Sequence, residues 1–212
     1  MKKLIFSVVL IVMSVVSLNA QVYKGMGIKL GINESNVNSS IVYLNDLNNG
    51  QKYNTGFSAG IFREFDIYKD FKLIGYIGYT DKRRGGNLIN AENKSVYETY
   101  DFKFISLELT GKWIPTKNAI QPYVLGGFGL DFFLSAGKSY PPELDKNYFL
   151  INRNKQLNAI VGGGVQFNLS PVSLFVEGVY VPHLTSLGIN EGQEVENHTD
   201  INSFIIRTGI IF

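Results

Sequence analysis

Residues 201–212 read I-N-S-F-I-I-R-T-G-I-I-F, and this stretch decides the fold. Alternate residues of a β-strand point to opposite sides of the sheet. One face of this strand is apolar except for a threonine and consists of Phe204, Ile206, Thr208, Ile210 and Phe212. The other face carries Ile205, Arg207, Gly209 and Ile211. One face suits lipid and the other carries a charge, which predicts a closed barrel whose last strand pairs with its first.

Seven other segments also have the composition of strands. The predicted strands are 25–33, 54–65, 71–82, 99–113, 122–136, 155–169, 172–182 and 201–212. Most alternate between apolar and polar or small residues, as a half-buried strand does. The third strand is an exception, because L-I-G-Y-I-G-Y-T at 73–80 has large residues on both faces. Its orientation is therefore left open.

The connections between these strands alternate between long and short. Polar stretches occupy 34–53, 83–98, 137–154 and 185–200, whereas 66–70, 114–121 and 170–171 are short. Outer-membrane barrels have an even number of strands, short periplasmic turns and longer external loops. The pattern predicts an all-β fold, an eight-stranded antiparallel up-and-down transmembrane β-barrel with both termini on the periplasmic side. Trp113, Tyr123 and Phe212 are expected near that end, where an aromatic girdle would lie.

The first twenty residues have the pattern of a secretory signal peptide. Lys2 and Lys3 precede an apolar run at 4–18, and the small residue Ala20 follows. The run is too short to span a hydrocarbon core of about 30 Å. We therefore expect a cleaved signal peptide at 1–20 and a single barrel domain at 21–212.

Composition excludes several kinds of site. The chain has no cysteine, which rules out disulfides and thiolate ligands. The net charge is only +2 and the basic residues are scattered, which argues against nucleic acid as a partner. The glycines at 162–164 lack the Lys and Ser/Thr of a phosphate-binding loop, and we expect them to relieve crowding within a strand. No cofactor is expected.

Several motifs resemble one known family. They are G-I-K-L-G-I-N at 27–33, F-I-S-L-E-L-T-G-K-W at 104–113, Q-P-Y-V-L-G-G-F-G at 121–129, V-G-G-G-V-Q-F at 161–167 and the final G-I-I-F. The chain resembles the eight-stranded outer-membrane β-barrel proteins of Bacteroidetes-type bacteria related to PorT. Family members often have proline where this chain has Glu108. The resemblance implies the barrel but no activity; PorT itself is associated with a protein-secretion system, and no residue here carries that role across.

Three charged residues should meet inside the barrel. Glu108, Glu177 and Arg207 each lie about five residues from the turn-side end of their strand, so their heights are similar. Isolated charges in a narrow lumen would be costly, which predicts a buried ionic network. We expect this network to hold the barrel closed; the alternative is a gated ion path.

A small group of residues near the external rim could in principle support catalysis or bind a metal ion. His183 and Ser186 follow the seventh strand, and His198 lies in the last loop. No recognised triad spacing connects them, and two separated histidines make a weak metal site. We therefore expect no catalytic, cofactor-binding or metal residues.

The sequence predicts an integral protein of the bacterial outer membrane. Its expected role is non-enzymatic, and is structural, adhesive or complex-forming through the external loops. Alternatives are a secreted soluble ligand-binding barrel, a lipid-modifying enzyme in the membrane, or a secretion-system component like PorT. The expected partners are outer-membrane lipid, the barrel-insertion machinery through the C-terminal strand, and an envelope protein or glycan at the loops.

Overall fold

The computed structural model describes residues 25–39, 55–89, 95–140, 150–190 and 197–212. In this part of the chain, no helix has the length and apolarity needed to cross a bilayer. The predicted signal peptide at 1–20 lies outside the described residues.

The described residues form ten strands. In chain order they are β1 (Met26–Ser39), β2 (Thr55–Tyr68), β3 (Phe71–Ile89), β4 (Ser95–Trp113), β5 (Ile120–Tyr140), β6 (Leu150–Arg153), β7 (Lys155–Leu169), β8 (Val172–Val181), β9 (Leu187–Asn190) and β10 (Asn197–Ile211). Eight of them form the barrel, and the two short strands β6 and β9 extend the sheet beside β10.

The barrel strands pair antiparallel with their neighbours in the order β1-β2-β3-β4-β5-β7-β8-β10. Pairing of β1 with β10 closes the barrel, in a register that runs from Gly27–Ile211 to Ser39–Thr199. This confirms the predicted eight-stranded up-and-down barrel. We call the end with the connections at 69–70, 114–119 and 170–171 the turn end, and the opposite end the loop end.

The two faces of the wall follow the predicted alternation. On β10, Phe204 and Ile206 are 49% and 47% exposed, whereas Arg207 between β1 and β8 is 2% exposed. Exposed aliphatic and aromatic residues continue around the outside of every barrel strand. An exposed apolar band of this extent is what a bilayer covers, and it contradicts the soluble barrel alternative, which needs a polar exterior.

The burial of its side chains shows which face of β3 points into the lumen. Ile74, Tyr76 and Thr80 are buried in the lumen, whereas Ile77 is 49% exposed on the outer face. Both faces are apolar because this part of the lumen needs large side chains to fill it, so alternation alone could not distinguish them.

The strands at the loop end are longer than predicted. The stretch 83–98 was expected to be a loop, but β3 and β4 stay paired up to Ile89 and Ser95, and β5 continues to Tyr140. Strands β6 and β9 also fall within stretches expected to be loops. Beyond the bilayer neither face needs to be apolar, so the chain keeps its strand pairing but loses the alternation that predicts it.

Candidate functional site

The middle of the lumen contains four balanced charges, which we call the central layer. The Arg207 guanidinium donates to both carboxylate oxygens of Glu108, with Nη1 to Oε2 at 2.8 Å. It also lies 3.7 Å from Glu177 Oε1, and Lys29 Nζ donates to that oxygen at 3.2 Å. All four side chains are at least nine-tenths buried. The predicted meeting of Glu108, Glu177 and Arg207 is therefore confirmed, with Lys29 as an additional member.

Aromatic side chains surround the central layer. The Lys29 ammonium lies 5.0 Å from the ring centre of Phe62 and 5.3 Å from that of Tyr76, which are distances for cation–π attraction. Tyr123 Oη donates to Glu177 Oε2 at 2.8 Å. Phe62 and Phe175 meet edge to face at 5.6 Å. These contacts fill the cross-section of the barrel around the charges.

Tyr123 corrects one prediction. It was expected in an aromatic girdle, but it is 4% exposed and points into the lumen. The alternation of β5 explains this, because Val124 next to it is 54% exposed on the outer face. Trp113, at 50% exposure on the outer face of β4, agrees with the girdle prediction.

A second group of charges lies toward the turn end. Lys112 Nζ donates to Glu64 Oε1 and to Gln166 Oε1, both at 2.7 Å. Lys72 Nζ donates to the other oxygen of Glu64 at 2.8 Å. Between this group and the turn end, the lumen opens into a cavity of about 610 Å³ that is lined mostly by charged and polar residues.

A third group lies toward the loop end. Lys82 Nζ donates to Asp131 Oδ2 at 2.7 Å, and Asn158 Nδ2 donates to the same oxygen at 2.8 Å. The nearby Gln156 is fully buried, and its amide makes no hydrogen bond in the described structure. The lumen therefore holds paired charges at three heights.

Glycines in the wall make room for the large inward side chains. A Cβ on Gly209 would lie 2.6 Å from the Phe175 ring, and one on Gly78 would lie within 2.4 Å of the Tyr76 ring. Such distances are far below normal contact. At these positions glycine permits close packing inside the barrel, so the middle of the lumen is filled.

Of the predicted rim group, His183 contacts two residues of β10. His183 Nδ1 lies 2.7 Å from Asn202 Oδ1, and His183 Nε2 lies 3.3 Å from Asp200 Oδ1. In the described part of the chain, no hydrogen bond joins Ser186 to His183. The side chain of His198 lies outside the described residues. A nucleophile for acyl transfer is thus not assembled from His183 and Ser186.

The apolar outer band and the charged, filled lumen define an integral outer-membrane β-barrel protein. The interior charges are paired, and the exterior has the band that such barrels present to lipid.

The chain is similar to several solved structures. The outer membrane protein OprG from Pseudomonas aeruginosa is 13% identical, with a TM-score of 0.54 over 90% of this chain and 97% of that chain. Neisserial surface protein A is 15% identical, with a TM-score of 0.49 over 88% and 95%. Ail, the attachment invasion locus protein of Yersinia pestis, is 20% identical, with a TM-score of 0.43 over 89% and 99%.

At these identities the likeness concerns the fold alone. No protein-family model matches the chain, and no curated protein sequence matches it.

Proposed function

We propose that this protein is a non-enzymatic barrel that presents its loop end to an envelope partner, in a structural, adhesive or complex-forming role. The observation that carries this proposal is the continuation of β3, β4 and β5 past the apolar band. The ion pair between Arg83 and Asp81, with N–O at 2.6 Å, marks the border of the apolar band on β3 that faces the loop end. Beyond Asp81, β3 runs eight more residues to Ile89, or roughly 26 Å at about 3.3 Å per residue.

The filled lumen supports the same proposal. The paired charges of the central layer and the surrounding aromatic rings occupy the space that a channel would need. A small eight-stranded barrel has an interior just wide enough for side chains. Transport through the lumen is therefore a less favoured role than recognition at the loop end.

We also propose that the chain is related to the PorT-like barrel family. The motifs at 27–33, 104–113 and 161–167 resemble PorT-related barrels, which makes a component of a secretion assembly one form that the partner complex could take. The C-terminal strand is proposed to be what the barrel-insertion machinery recognises. A lipid-modifying activity is not favoured, because Ser186 and His183 are not joined as nucleophile and base.

Shortening the projecting hairpin tests the loop-end role. Gly85 and Thr99 lie opposite each other, so residues 86–98 can be replaced by Asn-Gly, which suits a two-residue hairpin turn. A matched control replaces Lys69-Asp70 at the turn end with Asn-Gly. Both variants should insert in the outer membrane and keep heat-modifiable migration on gels.

The readout is crosslinking in intact cells followed by purification of the barrel. We expect a specific crosslinked partner with the wild type and the control, and its loss with the shortened hairpin. A partner retained by the shortened variant, or no partner with any of the three, would contradict the proposal.

Conductance measurements test the filled lumen separately. Single-channel recording in planar bilayers should show no conductance for the wild type or for Glu108→Ala. Stepwise openings in the wild type would favour the gated ion path instead.

A further inference from the structure

Three cations lie on the outer face of the barrel at the loop-end border of the apolar band. They are Arg83 on β3, Lys103 on β4 and Lys155 on β7, and we call them the border cations. An even number of positions separates each from an exposed apolar residue of its own strand, namely Ile77, Leu107 or Leu157. The Arg83 and Lys103 side chains are each 41% exposed, and Lys155 is exposed as well. All three therefore point away from the lumen.

Two carboxylates hold Arg83 and Lys103 in place. Arg83 Nε donates to Asp81 Oδ2 at 2.8 Å, and its Nη2 lies 2.6 Å from the same oxygen. Lys103 Nζ lies 3.3 Å from Asp101 Oδ2. Guanidinium and ammonium groups have more N–H donors than these contacts use. Asp81 and Asp101 are 1% and 8% exposed, so the cations cover the carboxylates and present the free donors to the surroundings.

The strand register brings the border cations close together. Arg83 pairs with Asp101, two residues from Lys103, so Arg83 and Lys103 are diagonal neighbours about 7–8 Å apart. Lys155 pairs with Phe132 on β5, the strand between β4 and β7. Lys155 is therefore two strands from Lys103, or roughly 10 Å across the sheet at about 4.8 Å per strand. With three cations and two carboxylates, this part of the wall is positively charged.

Aromatic rings show the height of the border cations relative to the bilayer. Lys155 Nζ lies 5.6 Å from the ring centre of Phe132, and the rings of Phe57 and Tyr79 meet at 5.4 Å two positions nearer the band than Asp81. Aromatic side chains such as tyrosine are concentrated where the hydrocarbon meets the lipid headgroups. The border cations thus lie at the level of the headgroups.

We propose that the border cations bind the phosphate groups of a phosphorylated lipid in the outer leaflet. Outer-membrane barrels have their longer loops on the external side, so the leaflet at the loop end is the outer one. A phosphate between Arg83 and Lys103 accepts charge-assisted hydrogen bonds from both side chains. Lys155 contacts a second phosphate of the same headgroup, and the acyl chains lie along the apolar band. The border on β1 has the exposed Glu34 instead, so the site occupies one side of the barrel.

Lipid titration of the purified barrel tests the proposal. The intact protein in detergent is incubated with bisphosphorylated lipid A, and native mass spectrometry measures the fraction of chains that retain it. We expect a one-to-one complex with the wild type, and much weaker binding of lipid A whose phosphates have been removed. Lys103→Gln and Lys155→Gln should each weaken binding about fivefold, because each removes one cation near the membrane surface. Inorganic phosphate at the concentration of the lipid should not compete.

Matched variants separate the charge from the fold. Arg63→Gln is the control, because Arg63 lies 5.3 Å from the Phe65 ring on the outer face at the turn end, and it should bind like the wild type. Lys103→Arg/Lys155→Arg keeps both charges and should also bind like the wild type. Heat-modifiable migration on gels shows which variants are folded, and the comparison of the two lipids needs only the wild type.

Three results would overturn the proposal. They are equal binding of phosphorylated and dephosphorylated lipid A, wild-type affinity in folded Lys103→Gln/Lys155→Gln, and an equal loss of affinity in Arg63→Gln. Competition by inorganic phosphate at the lipid concentration would overturn it as well and would indicate a site for free anions.

Discussion

Breaking the ion pair of Glu108 and Arg207 should destabilise the barrel strongly, whereas removing both partners should not. The central layer has two positive and two negative side chains, with Lys29 and Glu177 as the other two. Glu108→Met leaves both cations facing Glu177 alone. Arg207→Met leaves the Glu108 carboxylate buried without its bidentate partner.

The expected magnitudes follow from this charge balance. Removing one partner of a buried pair costs about 3–5 kcal/mol, because the other charge stays buried and uncompensated. The double variant Glu108→Met/Arg207→Met replaces the pair with apolar side chains of similar total volume and leaves Lys29 paired with Glu177. Apolar replacement of a whole buried pair is often close to neutral, so we expect the double variant to lose at most roughly 1 kcal/mol.

Urea unfolding in lipid vesicles measures these free energies. Trp113 is the single tryptophan, and its place on the outer face at the turn end makes its fluorescence a probe of the folded barrel. Heat-modifiable migration on gels gives an independent measure. If each single variant costs less than about 1 kcal/mol and the two effects simply add, the charges are not coupled and the reasoning is wrong.

Three further predictions concern the wall of the barrel. Gly209→Ala should cost about 1–3 kcal/mol in urea unfolding, because its Cβ would lie 2.6 Å from an aromatic ring, whereas Gly75→Ala, with no atom within 4 Å, should be neutral. Ile206→Arg should cost up to roughly 2–4 kcal/mol in vesicles, since it places a charge in the band, and Glu34→Arg nearer the loop end should cost roughly 0–1 kcal/mol. Deleting Phe212 should lower the fraction inserted in the outer membrane, measured by fractionation; normal insertion would remove the proposed signal role of that residue.

The barrel could be predicted because lipid and lumen impose opposite chemistry on alternate residues. Arg207 on β10 and Glu108 on β4 lie among outward-facing aliphatic neighbours, so strand alternation alone places them inside the barrel. Both residues lie equally far from the turn end of their strands, which predicts that they lie at the same height in the barrel. The structure agrees on both points.

The rest of the site needed contacts between distant strands. Lys29 could be placed on the inner face by alternation, but its contact with Glu177 connects residues 148 positions apart. Tyr123 was misplaced because a tyrosine suits both the membrane interface and a polar lumen. Asp200 reaches His183 only because β10 lies beside the end of β8, which is a consequence of the closed sheet.

Closure of the barrel also makes the pairing of β1 with β10 a late step of assembly. The contacts of β1 with β10 join residues roughly 160 to 180 positions apart, and loops of that length are costly and slow to close. Until β10 is in place, β1 and β8 each keep one open edge of the sheet. An incomplete barrel therefore has two unpaired edge strands at once, to which other chains can pair. A chaperone or insertase must cover both edges until β10 is paired.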